Sequence, residues 1–233
     1  LVVRDSKYLS SSLPDKIWDY HAYRDTEIRH YQAALESLAD LGYWVFRMGS
    51  NVATQLISSR PQIVDYANSE DQSETLDVWL MANCKFCIST STGLDSVADI
   101  FLRPTIFLNF LPLAYFQTWS NCVLAPSHLI WRSSGQRLSC VDHFRNAYVR
   151  QEDYDTAGII VRPLDSREIA AITIEGENCF SRYESSPNHS LADQKRFWTL
   201  YTRYQQAVPK ALWINENAQI SNEFLRLSPG FLN

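Results

Sequence analysis

Strand-like and helix-like patterns alternate through the first 110 residues of the chain. Apolar runs rich in branched and aromatic residues predict strands at 1–5, 43–46, 62–66, 86–88 and 104–109. Apolar residues recur at helical spacing over 26–41, 73–84 and 94–101, with Ser73 as a predicted N-cap and Gly42 as a predicted C-terminal stop. This alternation predicts an α/β protein with a Rossmann-like open parallel sheet and helices on both faces.

Beyond residue 110 the pattern weakens. A short strand is predicted at 128–131, a strand or loop at 158–161, and helices at 140–149, 165–175 and 191–205, with no clear element in 220–233. Neither a repeat nor a low-complexity linker divides the chain, so we expect one domain, residues 1–233, with the core sheet in about 1–110 and a less regular portion in 111–233. Because Leu1 already lies within a predicted strand, we expect this domain to be the carboxyl-terminal part of a longer protein.

The charge and cysteine content exclude several classes of function. The net charge is −5 and the basic residues are scattered, which argues against nucleic-acid binding. No apolar stretch approaches the ~18 residues that a membrane span needs. Five cysteines do not make a dense disulfide framework, and the Cys84–Cys87 spacing has no second ligand pair, so we predict no metal site.

The segment from Ser89 to Asp95 joins a predicted strand to a predicted helix through a hydroxyl-rich turn. Backbone N–H groups and the positive end of a helix dipole at such a turn can hold an anion. The turn lacks the Gly-Lys-Ser/Thr run of a P-loop and the three spaced glycines of a dinucleotide fingerprint. It therefore predicts a different kind of phosphate site, with a simple helix N-cap as the alternative.

Ligands of an open parallel sheet bind outside the carboxyl ends of its strands. The residues predicted to bind ligand there are Arg4, Arg47, Gly49, Asp65, Ser91, Thr92, Gly93, Leu94, Asp95 and Asn109. Arginines grip phosphate oxygens through a planar fork, so this set favours a nucleotide diphosphate. The alternative for each arginine is a salt bridge, for which Asp5 and Asp65 are available.

Several motifs follow one another along the chain, and they are Val3-Arg-Asp-Ser-Lys-Tyr8, His21-Ala-Tyr-Arg-Asp-Thr-Glu-Ile-Arg-His-Tyr31, Gly42-Tyr-Trp-Val-Phe-Arg-Met-Gly49, Asp65-Tyr-Ala-Asn-Ser69, Ser89-Thr-Ser-Thr-Gly-Leu94, Pro104-Thr-Ile-Phe-Leu-Asn109 and Ile220-Ser-Asn-Glu-Phe-Leu225. In this order they resemble a family of bacterial glycosyltransferases associated with surface polysaccharide synthesis. The resemblance covers most of the chain. It differs at Phe46, where the family more often has a smaller branched residue.

The resemblance implies the nucleotide-sugar-binding carboxyl-terminal half of a two-domain GT-B glycosyltransferase. The Arg4-Asp5 strand end is similar to the arginine motif of fucosyltransferases, and the Thr92-Gly93-Leu94 turn to the Thr-Gly turn of heptosyltransferases. Such an enzyme would need no metal and no cofactor besides the nucleotide-sugar donor. Its other partners would be a carbohydrate or lipid-linked acceptor and an amino-terminal acceptor domain beyond these 233 residues, in the cytoplasm or at the inner face of the membrane.

A sugar transfer to a hydroxyl needs a general base. Asp5, Asp25 and Glu216 are the carboxylate candidates within the chain, although in this architecture the base usually comes from the other domain. Two alternatives remain open at this point. One is a non-catalytic sugar-nucleotide-binding or scaffold domain, and the other is a different Rossmann-like nucleotide-sugar enzyme such as an epimerase, against which the missing glycine fingerprint counts.

Overall fold

A computed structural model describes residues 1–4, 19–50, 52–181, 191–205 and 213–233. The strands in these ranges are β1 (Val45–Phe46), β2 (Ile63–Val64), β3 (Cys87–Ser89), β4 (Thr105–Leu108), β5 (Cys122–Ala125), β6 (His128–Trp131), β7 (Ile159–Arg162) and β8 (Gln219–Ile220). The α-helices are α1 (Gln32–Asp40), α2 (Glu74–Asn83), α3 (Asp95–Ile100), α4 (Cys140–Arg145), α5 (Gln151–Thr156), α6 (Ser166–Ser181), α7 (Leu191–Gln205) and α8 (Asn222–Leu227). Short 3₁₀ turns occupy Asp19–Arg24, Ile28–Tyr31, Tyr66–Asn68 and Leu113–Tyr115.

The central sheet is parallel, as the sequence predicts. Strands β3, β4, β5 and β8 pair in that order, and β1 pairs with β2. Residues 1–4 lie between the two groups, because Val2 forms parallel bridges to both Met48 and Ser89. The spatial order is thus β2, β1, residues 1–4, β3, β4, β5, β8, which is compatible with a Rossmann-like arrangement.

Helices cover both faces of this sheet. Neighbouring residues of a strand point to opposite faces, and Cys87 and Ile88 accordingly belong to different apolar clusters. On one face, Leu35 and Leu38 of α1 pack with Ile88 in the larger cluster, to which α6 contributes Ile172. On the other face, α2 and α3 cover Cys87 and its neighbours. Full burial of each such side chain contributes about 1.5–3 kcal/mol.

Local signals place the ends of the first helices. The Ser73 hydroxyl accepts a hydrogen bond from the Leu76 amide at 3.4 Å, so it caps α2 as predicted. Gly42 follows α1 with φ of +89°, a conformation that disfavours other residues, and it stops the helix as predicted. None of the helices in the described ranges combines the length and apolarity needed to cross a membrane.

The sheet continues into the part of the chain where the sequence predicted less regular structure. Strand β5 was not anticipated, and β8 and α8 occupy a region for which no element was predicted. Their positions depend on distant residues: β8 pairs with β5, and the Glu175 carboxylate accepts the amides of Asn222 and Glu223 at the start of α8. Such tertiary contacts leave no local periodicity.

Helix α6 approaches the sheet closely at Gly176. A Cβ atom at this position would lie 2.4 Å from Cδ1 and 2.6 Å from Cγ1 of Ile106, which is fully buried in β4. The missing side chain therefore sets the spacing between α6 and the middle of the sheet.

Candidate anion-binding site

A cleft of about 480 Å³ lies at the carboxyl edge of the sheet, where the strand order reverses between residues 1–4 and β3. Its lining comes from the end of the first strand, the loop after β1, helix α2 and the turn after β3. The lining residues are Val2, Val3, Arg4, Met48, Gly49, Ser50, Val52, Asp77, Thr92, Gly93, Leu94 and Val97. Its volume is within the range of ~300–1,000 Å³ typical of small-molecule sites, and the reversal point is the usual ligand position in such sheets.

Arg4 is the basic residue that lines this cleft. Its backbone amide donates to the Thr90 hydroxyl at 2.8 Å, which fixes the end of the strand against the turn after β3. Its Nε lies 3.3 Å from Oδ1 of Asp25, and 14% of its side chain is exposed. Arg4 also borders a second cleft of about 220 Å³, together with Asp25 and Arg47. Arg4 therefore borders both the larger and the smaller cleft.

A second arginine, Arg24, contacts the turn after β3 and was not among the predicted site residues. It ends the 3₁₀ turn Asp19–Arg24, and its Nη2 donates to the carbonyl oxygen of Ser91. Burial lowers the pKa of Arg24, and the charge of Arg4 lowers it further, whereas Asp95 and Asp25 act in the opposite direction. Arg24 does not lie at the end of a strand, so the strand-end rule missed it. Its position within the motif at 21–31, which resembles the glycosyltransferase family, is the signal that could have identified it.

Two more basic groups stand near this pair. Burial lowers the pKa of His21, and so do the charges of Arg4, Arg24 and Arg150. Arg150 places its guanidinium carbon 5.4 Å from the ring centroid of Tyr20. The charges of Arg4 and Arg24 thus repel each other at this edge, and a bound anion would relieve that repulsion.

The turn after β3 is braced internally by Asp95. The Oδ2 atom of this carboxylate accepts hydrogen bonds from the Ser89 hydroxyl and, at 2.8 Å, from the Thr92 amide. The Ser91 amide donates to the Ser89 hydroxyl at 3.0 Å, and Ser91 has φ of +61°. Burial raises the pKa of Asp95. Two turn amides predicted to hold phosphate, those of Ser91 and Thr92, are therefore occupied. The simple N-cap alternative does not hold, because α3 begins after Leu94 without a side-chain cap, and Thr92, Gly93 and Leu94 line the cleft.

Arg47 and Asp65 form a buried ion pair. Arg47 is 1% exposed, and its Nη1 lies 3.1 Å from Oδ1 of Asp65 and 3.2 Å from the Thr54 carbonyl oxygen. Oδ2 of Asp65 also accepts the Leu56 amide at 3.0 Å and the Asn68 side chain at 2.7 Å. The salt-bridge alternative thus describes Arg47, which holds the 54–56 loop beside the smaller cleft, and it also applies to Arg4, whose partner is Asp25.

Gly49 and Asp77 complete the wall of the larger cleft. Gly49 has φ of +133°, a backbone conformation that favours glycine, whereas a Cβ there would make only an ordinary contact of 3.4 Å with Cγ1 of Val52. Asp77, in the first turn of α2, was not a predicted site residue. Its Oδ2 accepts a hydrogen bond from the Gln72 side chain at 3.0 Å, and it brings a carboxylate to the wall of the cleft.

Of the predicted ligand-binding residues, Arg4, Gly49, Thr92, Gly93 and Leu94 line the larger cleft, whereas Arg47, Asp65, Ser91, Asp95 and Asn109 do not. Asn109 is 3% exposed, donates to the Tyr31 hydroxyl and accepts from the Leu164 amide at 2.7 Å, so it joins three segments of the interior. Glu216 is exposed in the loop before β8, hence at the amino edge and roughly 19 Å across the sheet from the Arg4 strand. Asp25 lies at the site, and Asp5 lies outside the described residues.

No group of three or more metal-ligating side chains occurs within the described parts of the chain. The site described above thus consists of arginines, hydroxyls, carboxylates and apolar side chains. Comparison with known proteins adds no family to this picture: no protein-family model matches the chain, and neither the curated proteins nor the solved structures yielded a match.

Proposed function

We propose that this protein is a glycosyltransferase domain that binds the diphosphate of a nucleotide sugar at the Arg4 strand end. One observation carries the proposal. Arg4 lines a cleft of suitable volume at the point where the strand order reverses, and Arg24 adds a second positive charge behind the adjoining turn. Guanidinium groups form charge-assisted, bidentate bonds to phosphate oxygens, and neighbouring cations raise the local concentration of anions.

In this proposal, each side of the cleft has a separate role. Arg4 and the Thr92 hydroxyl contact phosphate oxygens, while Asp77 accepts a hydroxyl of the ribose or the sugar. The apolar side chains Val52, Leu94 and Val97 contact the nucleoside. Arg24 holds the turn through the Ser91 carbonyl and adds to the positive potential.

Transfer would proceed by departure of the nucleoside diphosphate. Arg4 stabilises the negative charge that develops on the leaving phosphate, an electrostatic effect that is strong in a partly buried site. The anomeric carbon acquires oxocarbenium character, and an acceptor hydroxyl attacks it as a base removes the proton. Transfer of the sugar to a hydroxyl of a growing surface polysaccharide is the reaction that the family-like motifs imply.

A second candidate is a nucleotide-sugar-binding domain without catalysis of its own. It is favoured by the position of the predicted bases, because Asp25 is paired with Arg4 and Glu216 lies at the opposite edge of the sheet. The same observation is compatible with an enzyme whose base belongs to another domain.

The binding step can be tested by titration calorimetry of the full chain with GDP, UDP, ADP and CDP, using the parent nucleosides for comparison. We expect one diphosphate to bind and its nucleoside to bind far less well. Arg4→Ala should weaken binding about 10- to 150-fold, the equivalent of a lost charge-assisted bond of ~1.5–3 kcal/mol. Arg60→Ala is a matched control, because Arg60 pairs with Asp40 on the surface at the amino edge.

Two results would contradict the proposal: no diphosphate binds, or binding is the same in the Arg4 variant as in the wild type. The catalytic step is tested separately by hydrolysis of the matching nucleotide sugar, followed as release of the diphosphate. Turnover that Arg4→Ala reduces supports the enzyme, whereas tight binding without turnover supports the second candidate.

A further inference from the structure

A third cleft adjoins the turn after β3 on its other side. This cleft of about 310 Å³ lies between α3 and the 115–119 segment, and Trp213 closes one end of it. Ser91, Thr92 and Asp95 contribute to its wall, so it begins where the proposed diphosphate site ends. Its volume is at the lower end of the range for small-molecule sites.

Three large aromatic side chains at this cleft are exposed to solvent. The exposed fractions are 56% for Tyr115, 50% for Trp119 and 66% for Trp213. The buried rings of Phe107 and Phe110 form the floor, and they contact each other edge-to-face with centroids 5.7 Å apart. Exposed aromatic surface gathered around one concavity indicates a binding site more often than a chance arrangement.

Backbone pairing holds the two tryptophans in a defined relation. The Thr118 amide donates to the Trp213 carbonyl oxygen at 3.0 Å, and the Asn215 amide donates to the Thr118 carbonyl oxygen at 3.0 Å. The Asn215 side chain donates to the Trp119 carbonyl oxygen at 2.7 Å. The main chain, and not the indole rings, makes these contacts, so the rings remain available to a ligand.

Asp99 of α3 fixes the same segment to the cleft wall. Its Oδ1 accepts hydrogen bonds from the Trp119 amide at 3.0 Å, the Ser120 amide at 2.8 Å and the Thr118 hydroxyl at 2.9 Å. A carboxylate that accepts three donors holds the loop rigidly. The backbone that carries Trp119 is thus pre-organised, which lowers the entropic cost of binding.

The polar groups of the cleft identify the chemistry of the ligand. None of the described residues that line it is basic, whereas Asp95 and Asp99 are acidic, so an anion would be repelled. Ser96 and Gln117 add a hydroxyl and an amide on the exposed rim. Flat aromatic faces beside hydroxyl, amide and carboxylate groups match a pyranose ring, which has an apolar C–H face and a polar edge.

We propose that this cleft binds a neutral saccharide, with one pyranose unit stacked on the indole rings of Trp119 and Trp213. Gln117 and Ser96, both exposed at the rim, hydrogen-bond its hydroxyls. The site lies beside the proposed diphosphate site, so the saccharide would be the acceptor chain. That role rests on the proposed function, but saccharide binding itself does not.

The test is a glycan array probed with the full chain without nucleotide, covering hexoses, deoxyhexoses and hexosamines in both anomeric linkages. Hits are then measured by calorimetry as free methyl glycosides or disaccharides. Trp119→Ala and Trp213→Ala should each weaken binding by roughly tenfold or more, as loss of a central aromatic contact does. Trp79→Ala is the matched control, because Trp79 is 59% exposed at a cleft on the amino edge.

The proposal is overturned if no glycan binds, or if binding is unchanged in both variants. It is also overturned if the chain self-associates in light scattering and Trp213→Ala abolishes this, because a second copy would then cover the rings. Arg4→Ala should leave saccharide binding unchanged. Failure of the diphosphate site and failure of the saccharide site are therefore distinguishable.

Discussion

The carboxylate of Asp95 braces the turn between the two clefts, and its replacement tests how the turn is held. The Ser89 hydroxyl and the Thr92 amide both donate to the same oxygen, Oδ2. Asp95→Asn can place its carbonyl oxygen there and keep both donors satisfied. Asp95→Ala removes this acceptor, so both donors lose their hydrogen-bond partner in a largely buried turn.

The magnitudes follow from this difference. An unsatisfied buried donor costs about 1–3 kcal/mol, so Asp95→Ala should lower the free energy of unfolding by about 2–6 kcal/mol. For a chain of this size that corresponds to a fall in Tm of roughly 5–20 °C. Asp95→Asn keeps an acceptor for both donors and removes a charge that burial disfavours, so it should change the free energy of unfolding by about 1 kcal/mol or less. The alanine variant should also bind nucleotide poorly, because Thr92 would no longer be positioned.

Urea denaturation followed by tryptophan fluorescence measures both variants against the wild type. The pH dependence gives a second readout. Because burial raises the pKa of Asp95, its stabilising contribution is complete below its unfolded pKa of 3.8 and is lost as pH rises through the folded value. The wild type should therefore gain stability over Asp95→Asn as the pH falls from 7 toward 4. If Asp95→Ala is as stable as the wild type, or Asn costs as much as alanine, this account of the turn is wrong.

Two further predictions concern the interior. Gly176→Ala should lower the free energy of unfolding by about 1–3 kcal/mol in urea denaturation, because the new Cβ overlaps Ile106, although alanine normally favours a helix. A variant as stable as the wild type would contradict the close approach of α6 to the sheet. Burial and the nearby charge of His128 lower the pKa of His143 to about 3, so stability should be lost as pH falls from 6.5 toward 3. His143→Phe, which can keep the ring contact with Phe231, should flatten the decline of Tm between pH 7 and 5, and an unchanged slope would contradict the assignment.

Local patterns in the sequence were enough to predict the first half of the sheet. Ser73 and Gly42 mark helix ends through their own side chain or backbone freedom, so they can be recognised without the rest of the fold. Strand β8 has two residues, and its pairing with β5 brings together segments almost 100 residues apart. No periodicity over two residues could reveal it.

The candidate site was only partly predictable for a similar reason. The strand-end rule identified Arg4, because the edge of a parallel sheet follows from the order of strands. It could not show that Arg47 turns inward, since that depends on the acceptors offered by Thr54 and Asp65 after folding. Arg24 contacts the turn from the end of a 3₁₀ turn that is distant in sequence, so no local pattern could reveal the contact.

The strand formed by residues 1–4 joins the two groups of strands through Val2, and it also ends in Arg4. A ligand bound at Arg4 therefore contacts the segment that connects the two groups of strands. Its binding free energy is linked to unfolding of the whole domain, and a ligand present at 100 times its Kd would add about 2.7 kcal/mol to global stability. Hydrogen exchange should then slow in β2 and β5 together, at opposite sides of the junction, when the ligand is bound.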